Sequence, residues 1–202
     1  MTGALKSALR PLWKPVIDHL LSVRGGLMAA TGWSWRAGEF RLVHSRGRGL
    51  GLFVTRDYRA GDPVIEIAGQ PVARRGEYTI QVGSAAHIYP DAPLRYANHS
   101  CNPNVGIRRG VDGKLRFHAM RPIGAGEEML WDYAMSEFDL DVAGGPGHFP
   151  CRCGAFGCRG QVSGWRNLAP QMRRRYRDWA MPYLQADEPG NGGIGRIAAA
   201  PD

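Results

Sequence analysis

At 202 residues and 22.2 kDa the chain has the size of one ordinary domain with flanking segments, too short for two full-sized enzymes. Hydrophobic residues at 44% and charged residues at 22% are globular proportions, which argue against wholesale disorder, a collagen-like chain or a coiled coil, and no run of 18 apolar residues is present to cross a membrane as a helix. Basic residues exceed acidic ones, 26 − 18 = +8, and unevenly: five basic and one acidic in 1–38, thirteen and ten in 39–136, eight and seven in 137–202.

In chain order, the N-terminus lacks the apolar stretch and small-residue cleavage site of a secretory signal. Leu12, Trp13, Val16, Ile17, Leu20 and Leu21 recur at helical spacing, with Pro15 near the start and Gly25-Gly26 after the end, so a helix is expected within a basic segment 1–38. Its basic, amphipathic first part reads as a docking helix, with a transit peptide as the alternative. From Phe40 the pattern becomes short β-rich runs at 40–45, 49–56, 63–68, 77–82, 104–109, 114–120 and 128–131, separated by Gly, Pro and Asp. Many short strands with little helix between them predict a mainly β fold and oppose a parallel α/β sheet. Arg59-Ala60-Gly61-Asp62 and Gly124-Ala125-Gly126 read as turns, and Ala143–Gly147 as a flexible linker. Leu168, Met172, Tyr176, Trp179 and Tyr183 share one helical face, predicting a C-terminal helix over 164–185, and 186–202 reads as a disordered tail. The run Arg173-Arg174-Arg175-x-Arg177 permits nucleic-acid contact without requiring it, because a solvated helix face explains the run equally well.

The four cysteines are Cys101, Cys151, Cys153 and Cys158, the last three spaced C-x-C-x4-C. A disulfide is one reading, but a bond within C-x-C is strained, and Cys101 would still need a partner. Four thiols suit a single all-cysteine zinc site with one ligand from fifty residues upstream. Such a metal would tie the C-terminal segment to the Cys101 loop, and its binding energy would become folding energy.

Three other segments carry chemistry: Arg46-Gly47-Arg48-Gly49-Leu50-Gly51, Arg95-Tyr96-Ala97-Asn98-His99-Ser100-Cys101-Asn102-Pro103-Asn104, and Gly126-Glu127-Glu128-Met129-Leu130-Trp131-Asp132-Tyr133. The glycine segment does not fit G-x-G-x-x-G and leads into a strand, so a Rossmann fold is not supported. Singly, each has a bland reading: a tight turn, turn residues with satisfied hydrogen bonds, a core tyrosine tied to a carbonyl. Taken together and in order, followed by Cys-Arg-Cys-Gly-Ala-Phe-Gly-Cys-Arg-Gly, they resemble the SET-domain protein lysine methyltransferases over roughly 39–163.

The resemblance implies a SET domain at 39–136 built of small antiparallel sheets with a pseudoknot, a post-SET zinc segment at 137–163, and flanking N- and C-terminal helices. It implies S-adenosylmethionine as cofactor, with the backbone at Arg48, Gly49 and Leu50 lying against it and Arg95, Asn98, His99, Tyr78 and Tyr133 completing the site. Glycine there would permit close approach that a Cβ would block. Tyr133 is implied as the active-site tyrosine with Tyr78 near the methyl donor, Trp131 as a residue of the substrate channel, and Cys101, Cys151, Cys153 and Cys158 as zinc ligands. The chain departs from the family in three places. Trp131 stands where Phe or Tyr is usual, the insert between Tyr78 and Arg95 is short, and Ser163 replaces a large aromatic whose cover of the adenine would fall to Trp165.

The expected substrate is a lysine of a basic protein, a histone or nucleoid protein. Glu137, Asp139 and Asp141 read either as a solvated loop or as a holder for its basic tail. A non-catalytic zinc-containing interaction module is the competing class, disfavoured because Tyr133, Asn98, His99 and the glycine motif are intact. Richness in Arg, Ala and Gly beside three lysines suggests a GC-rich bacterial genome. Reduced cysteines then suit the bacterial cytoplasm or, after export into a host cell, its nucleus.

Overall fold

A computed structural model describes residues 35–45, 47–141 and 147–185. The expected N-terminal helix, Arg46, most of the 143–147 linker and the tail from 186 lie outside the described residues.

Alternation of side chains across short strands builds the core. Strands β1 (Trp35–Ala37), β2 (Phe40–Ser45) and β3 (Gly49–Val54) form an antiparallel meander in which Phe40 faces Val54 and Ser45 faces Gly49. The β2–β3 turn carries Gly47 at φ 72° and Gly49 at φ 76°, a conformation that L-residues with a Cβ rarely adopt. Strand β4 (Pro63–Glu66) pairs with β10 (Leu115–Ala119), which pairs with β9 (Val105–Arg109), all antiparallel. Strands β5 (Gly69–Val72), β6 (Ile80–Gln81) and β7 (His87–Pro90) make a third sheet with β7 central. Strands β12 (Phe149–Pro150) and β13 (Gln161–Val162) close a small hairpin around the cysteine segment. Leu52, Val54, Val105, Ile107, Phe117 and Ala119 meet in one buried core.

The element that positions the site is parallel. Strand β8 (Asn98–His99) pairs with β11 (Leu130–Trp131), Asn98 opposite Leu130 and His99 opposite Trp131. Just before β11 the chain runs along the free edge of β3, where Gly126 N donates to Val54 O and Met129 N to Leu52 O. It then passes to the 98–104 segment, where Ser100 N donates to Trp131 O and Asn104 N to Leu130 O. Asn104 sews this crossing from its side chain, accepting from Leu130 N and donating to Glu128 O, both at 2.8 Å. Residues 126–131 are thus clasped between two segments distant in sequence.

The expected C-terminal helix is broken. Only α1 (Pro170–Tyr176) is α-helical, begun by Pro170 at its first position, and single 3₁₀ turns occupy Trp165–Asn167, Arg177–Trp179 and Pro182–Gln185. The apolar stripe still packs inward, with Leu168 and Tyr176 buried and Met172, Trp179 and Tyr183 against the core. Helical periodicity here reports the buried side of a bending chain, which Met181 ties down by donating to Met135 O. Among the described residues no helix is long and apolar enough to cross a membrane.

Phe117 is wholly buried and meets Trp131 edge-on, ring centres 5.0 Å apart. Phe117→Ala is expected to cost ~3–5 kcal/mol, read as a lowered midpoint in denaturant unfolding.

Candidate active site

The clasped segment brings charge into the core. Glu128, at its start, takes four hydrogen bonds from three directions: Ser45 Oγ at 2.8 Å, Arg48 Nη2 at 2.6 Å and, on its other oxygen, Asn98 Nδ2 at 2.8 Å, with its backbone carbonyl on Asn104. Asn98 also donates to Leu50 O at 3.0 Å. Gly51 makes this packing feasible, since a Cβ there would fall 2.3 Å from Glu128 Oε1. Around Gly47 and Gly49, by contrast, an added Cβ would meet nothing within 4 Å, so this turn borders open space in which a ligand can lie against the backbone. Gly49 is thus required for its φ, and Gly51 for the close approach of Glu128.

At the far end, Asp132 is fully buried and gathers Arg159 as a bidentate pair at 2.6 and 2.9 Å, Tyr176 Oη at 3.1 Å and Ala134 N at 3.2 Å. Burial desolvates Arg159, yet the Asp132 carboxylate holds its pKa above the ordinary value, and burial raises Tyr176 as well. His99 lies beside this pair, its Nδ1 3.6 Å from Asp132 Oδ1. Burial pulls the His99 pKa down to about 4, so at neutral pH the contact is not an ion pair. The neutral ring accepts from Tyr133 N at 3.3 Å through Nδ1, which leaves the proton on Nε2, 3.5 Å from Cys101 Sγ.

Tyr133 stands at the centre of an aromatic group, 5.1 Å from the His99 ring and 4.9 Å from that of Trp131. The Trp131 indole N–H and the Tyr133 hydroxyl converge on Ala97 O, at 3.3 and 3.5 Å. Burial pushes the Tyr133 pKa far up, so the phenol stays protonated at neutral pH. Tyr78 is 41% exposed, and partial burial raises its pKa. Arg95 stacks over the Tyr89 ring at 4.5 Å and donates to its hydroxyl.

The four cysteines form no disulfide, and their sulfurs all lie within 4.8 Å of one another, with Cys101 and Cys151 3.8 Å apart. Sulfurs around a tetrahedral zinc with ~2.3 Å bonds sit ~3.8 Å apart, so the donor set and spacing fit that ion. Arg159 N and Gly160 N donate to the Cys101 and Cys158 sulfurs, each at 3.4 Å. Arg48 joins the two regions by donating to Cys153 O at 2.8 Å.

With this geometry in view, a family model described as SET domain matches residues 49–134. The fold is the SET-domain fold. The matched SET segment runs from the glycine turn to just past Tyr133, leaving Cys151, Cys153 and Cys158 outside it. Histone-lysine N-methyltransferase ASHH3 of Arabidopsis thaliana is 29% identical over 142 residues, 60% of this chain and 37% of that protein. A histone-lysine N-methyltransferase of Chaetomium globosum, H3 lysine-36 specific, is 31% identical over 144 residues, 61% of this chain and 15% of that protein. Among solved structures, KRYPTONITE in complex with mCHH DNA, H3(1-15) peptide and SAH aligns at TM-score 0.49 and 26% identity, covering 60% of this chain and 29% of that one. The chain therefore spans 37% or less of these two relatives.

Two expectations are overturned by the structure. Glu137 is 4% exposed and paired with Arg75, also accepting from Gln81 N and Ser136 Oγ, while Asp139 is buried against Arg166. Burial pushes the Glu137 pKa up against the pull of Arg75. Glu137, through Arg75 and Gln81 N, pins the 75–81 segment, and with it Tyr78, onto the chain that follows Tyr133, aided by Phe138 N donating to Gln81 Oε1; only Asp141 is exposed. Glu137 and Asp139 are not a surface for a basic tail. Trp165, 3% exposed in the core, has no face to offer an adenine. Glu128, Asp132, Arg159, Tyr176 and Arg75 escaped sequence reasoning; the one available signal was two acids flanked by apolar residues in Glu128–Tyr133.

Asp132→Asn would leave the Arg159 guanidinium without its counter-charge and is expected to cost ~3–5 kcal/mol. Denaturant unfolding of Asp132→Asn, Arg159→Met and the double variant checks this: the double should be less destabilised than the sum of the two singles.

Proposed function

We propose that this protein transfers a methyl group from S-adenosylmethionine to a lysine side chain of a basic protein, a histone or histone-like protein. The carrying observation is the convergence of the glycine turn, Asn98–His99 and Tyr133 on one seam within the segment that matches the SET domain. Relatives named as histone-lysine N-methyltransferases support the reaction class.

On this reading the cofactor lies on the backbone of Arg48, Gly49 and Leu50, beside the open space at Gly47 and Gly49, and is contacted by Asn98, His99, Arg95 and Tyr133. Bound there, S-adenosylmethionine supplies an electrophilic methyl carbon on a sulfonium. The chain's own residues then have to deliver a lysine in line and unprotonated, because an ammonium has no lone pair. On this reading the paired rings of Trp131 and Tyr133, with Tyr78, form the channel for the lysine, where desolvation would lower its pKa and confinement would orient its nitrogen. The Tyr133 phenol, held protonated by burial, acts as an orienting dipole and not as a base. Ala97 O accepts from both the Trp131 indole and the Tyr133 phenol and so fixes the direction of that dipole, while the proton the lysine ammonium sheds leaves to water.

The same reading assigns the four cysteines to one structural zinc, holding the 148–163 segment beside the site. It further places the protein in a reducing compartment, the bacterial cytoplasm or a host nucleus, consistent with four thiols that form no disulfide.

Incubation with labelled S-adenosylmethionine and core histones should place label on lysine. Tyr133→Phe should keep the thermal midpoint and lose ~100-fold or more in turnover; undiminished turnover would remove Tyr133 from the mechanism. Metal analysis should return one zinc per chain, and chelation should lower the thermal midpoint. A metal-free chain with an unchanged midpoint would refute the zinc assignment.

A further inference from the structure

We propose that an exposed arginine face built by α1, the turn after it and the end of β9 docks the phosphate backbone of double-stranded nucleic acid. This goes beyond methyl transfer, and none of its arginines belongs to the residues assigned to that reaction.

The starting point is an electrostatic conflict. A chain with 26 basic and 18 acidic residues meets a basic substrate unfavourably at long range. The acidic stretch that would offset this is largely internal, Glu137 paired with Arg75 and Asp139 with Arg166. Given the basic substrate proposed above, on which this step rests, a third, anionic partner that also carries this substrate would supply the attraction.

The surface for that partner is specific. Between residues 170 and 185 there are four arginines and a single acid, Asp178. Arg174 and Arg177 are exposed, and their guanidinium groups make no hydrogen bond or ion pair with any other described residue. One turn of helix separates them, so they lie on the same side, ~5 Å apart along the axis. Exposed Arg175 reaches the other way, to Asn102 Oδ1 at 3.3 Å. Arg108 comes from β9, donates to Asp178 O and stacks over the Trp179 ring at 3.6 Å, which sets its guanidinium beside the Arg177 end of α1. The scaffold beneath is fixed by buried Tyr176 and Ala180, so the charges are pre-organised.

Three guanidiniums, of Arg174, Arg177 and Arg108, spread over a turn of helix and a strand end, suit a partner whose charges are dense and extended. A duplex offers one charge per ~1.7 Å of axis, and its phosphates accept the forked donors of arginine. An acidic polypeptide carries sparser, more mobile carboxylates and is the less suitable occupant.

The test uses the full chain and a fluorescein-labelled 20-base-pair duplex, with binding followed by anisotropy over a salt series. Arg174→Gln/Arg177→Gln should lose roughly tenfold in affinity and flatten the log–log salt slope by about 2, while Arg174→Lys/Arg177→Lys keeps most of both. Unlabelled duplex should displace the probe far better than poly-glutamate at equal charge. Absence of binding by the wild type, or equal affinity and slope in the glutamine variant, would overturn the proposal, the latter pointing to the basic 1–24 segment. Equal competition by poly-glutamate would also overturn it, in favour of an acidic protein. The binding readout needs no methyl transfer, so it stands apart from the success or failure of the enzymatic reading.

Discussion

Residues 128–132 can run through the interior only because the two carboxylates at their ends are met by arginines from elsewhere in the chain. Arg48, from the glycine turn, holds Glu128, and Arg159, from the cysteine segment, holds Asp132. Buried pairs of this kind add little net stability over apolar packing, but a mispaired partner leaves a costly charge in the core. They therefore select one threading of the segment between β3 and β8, one register for the parallel pair, and one place for Tyr133.

The same arginines bind the cysteine segment to the site. Arg48 donates to Cys153 O as well as to Glu128, and the backbone N–H of Arg159 points at Cys101 Sγ while its side chain grips Asp132. His99 touches both ends, its Nδ1 on Tyr133 N and its Nε2 at Cys101 Sγ. Order in the cysteine cluster and order at Tyr133 are consequently one event. A metal on the four thiols would brace the geometry at Tyr133 from outside the proposed cofactor site.

Much of this was legible in the sequence, and the remainder was hidden for identifiable reasons. Short β-rich runs bounded by Gly, Pro and Asp located β2, β3, β4, β9 and β10, whose residues supply much of the buried core. Strands β5 and β7 were missed: Gly69 and Pro71 interrupt the first and Pro90 ends the second, and their pairing depends on a partner distant in sequence. Residues 164–185 carry a helical stripe yet hold just one short helix, since burial periodicity does not report backbone hydrogen bonding. The motifs marked Asn98, His99, Tyr133 and the cysteines. They did not reveal that Glu137 and Asp139 are internal, because an acid's partner, here Arg75 or Arg166, is supplied by the fold. The same ignorance of neighbours made Trp165 look available.

On the proposed function, the glycine turn, Asn98–His99 and Tyr133 form one cofactor site braced by the cysteine segment. The most direct measurement is a crystal structure of the chain grown with S-adenosylhomocysteine and zinc. The account predicts the ligand against the backbone of residues 47–50 and 98–99, with its sulfur facing Tyr133 and the metal on Cys101, Cys151, Cys153 and Cys158. A ligand bound elsewhere, or thiols that leave the metal uncoordinated, would contradict it.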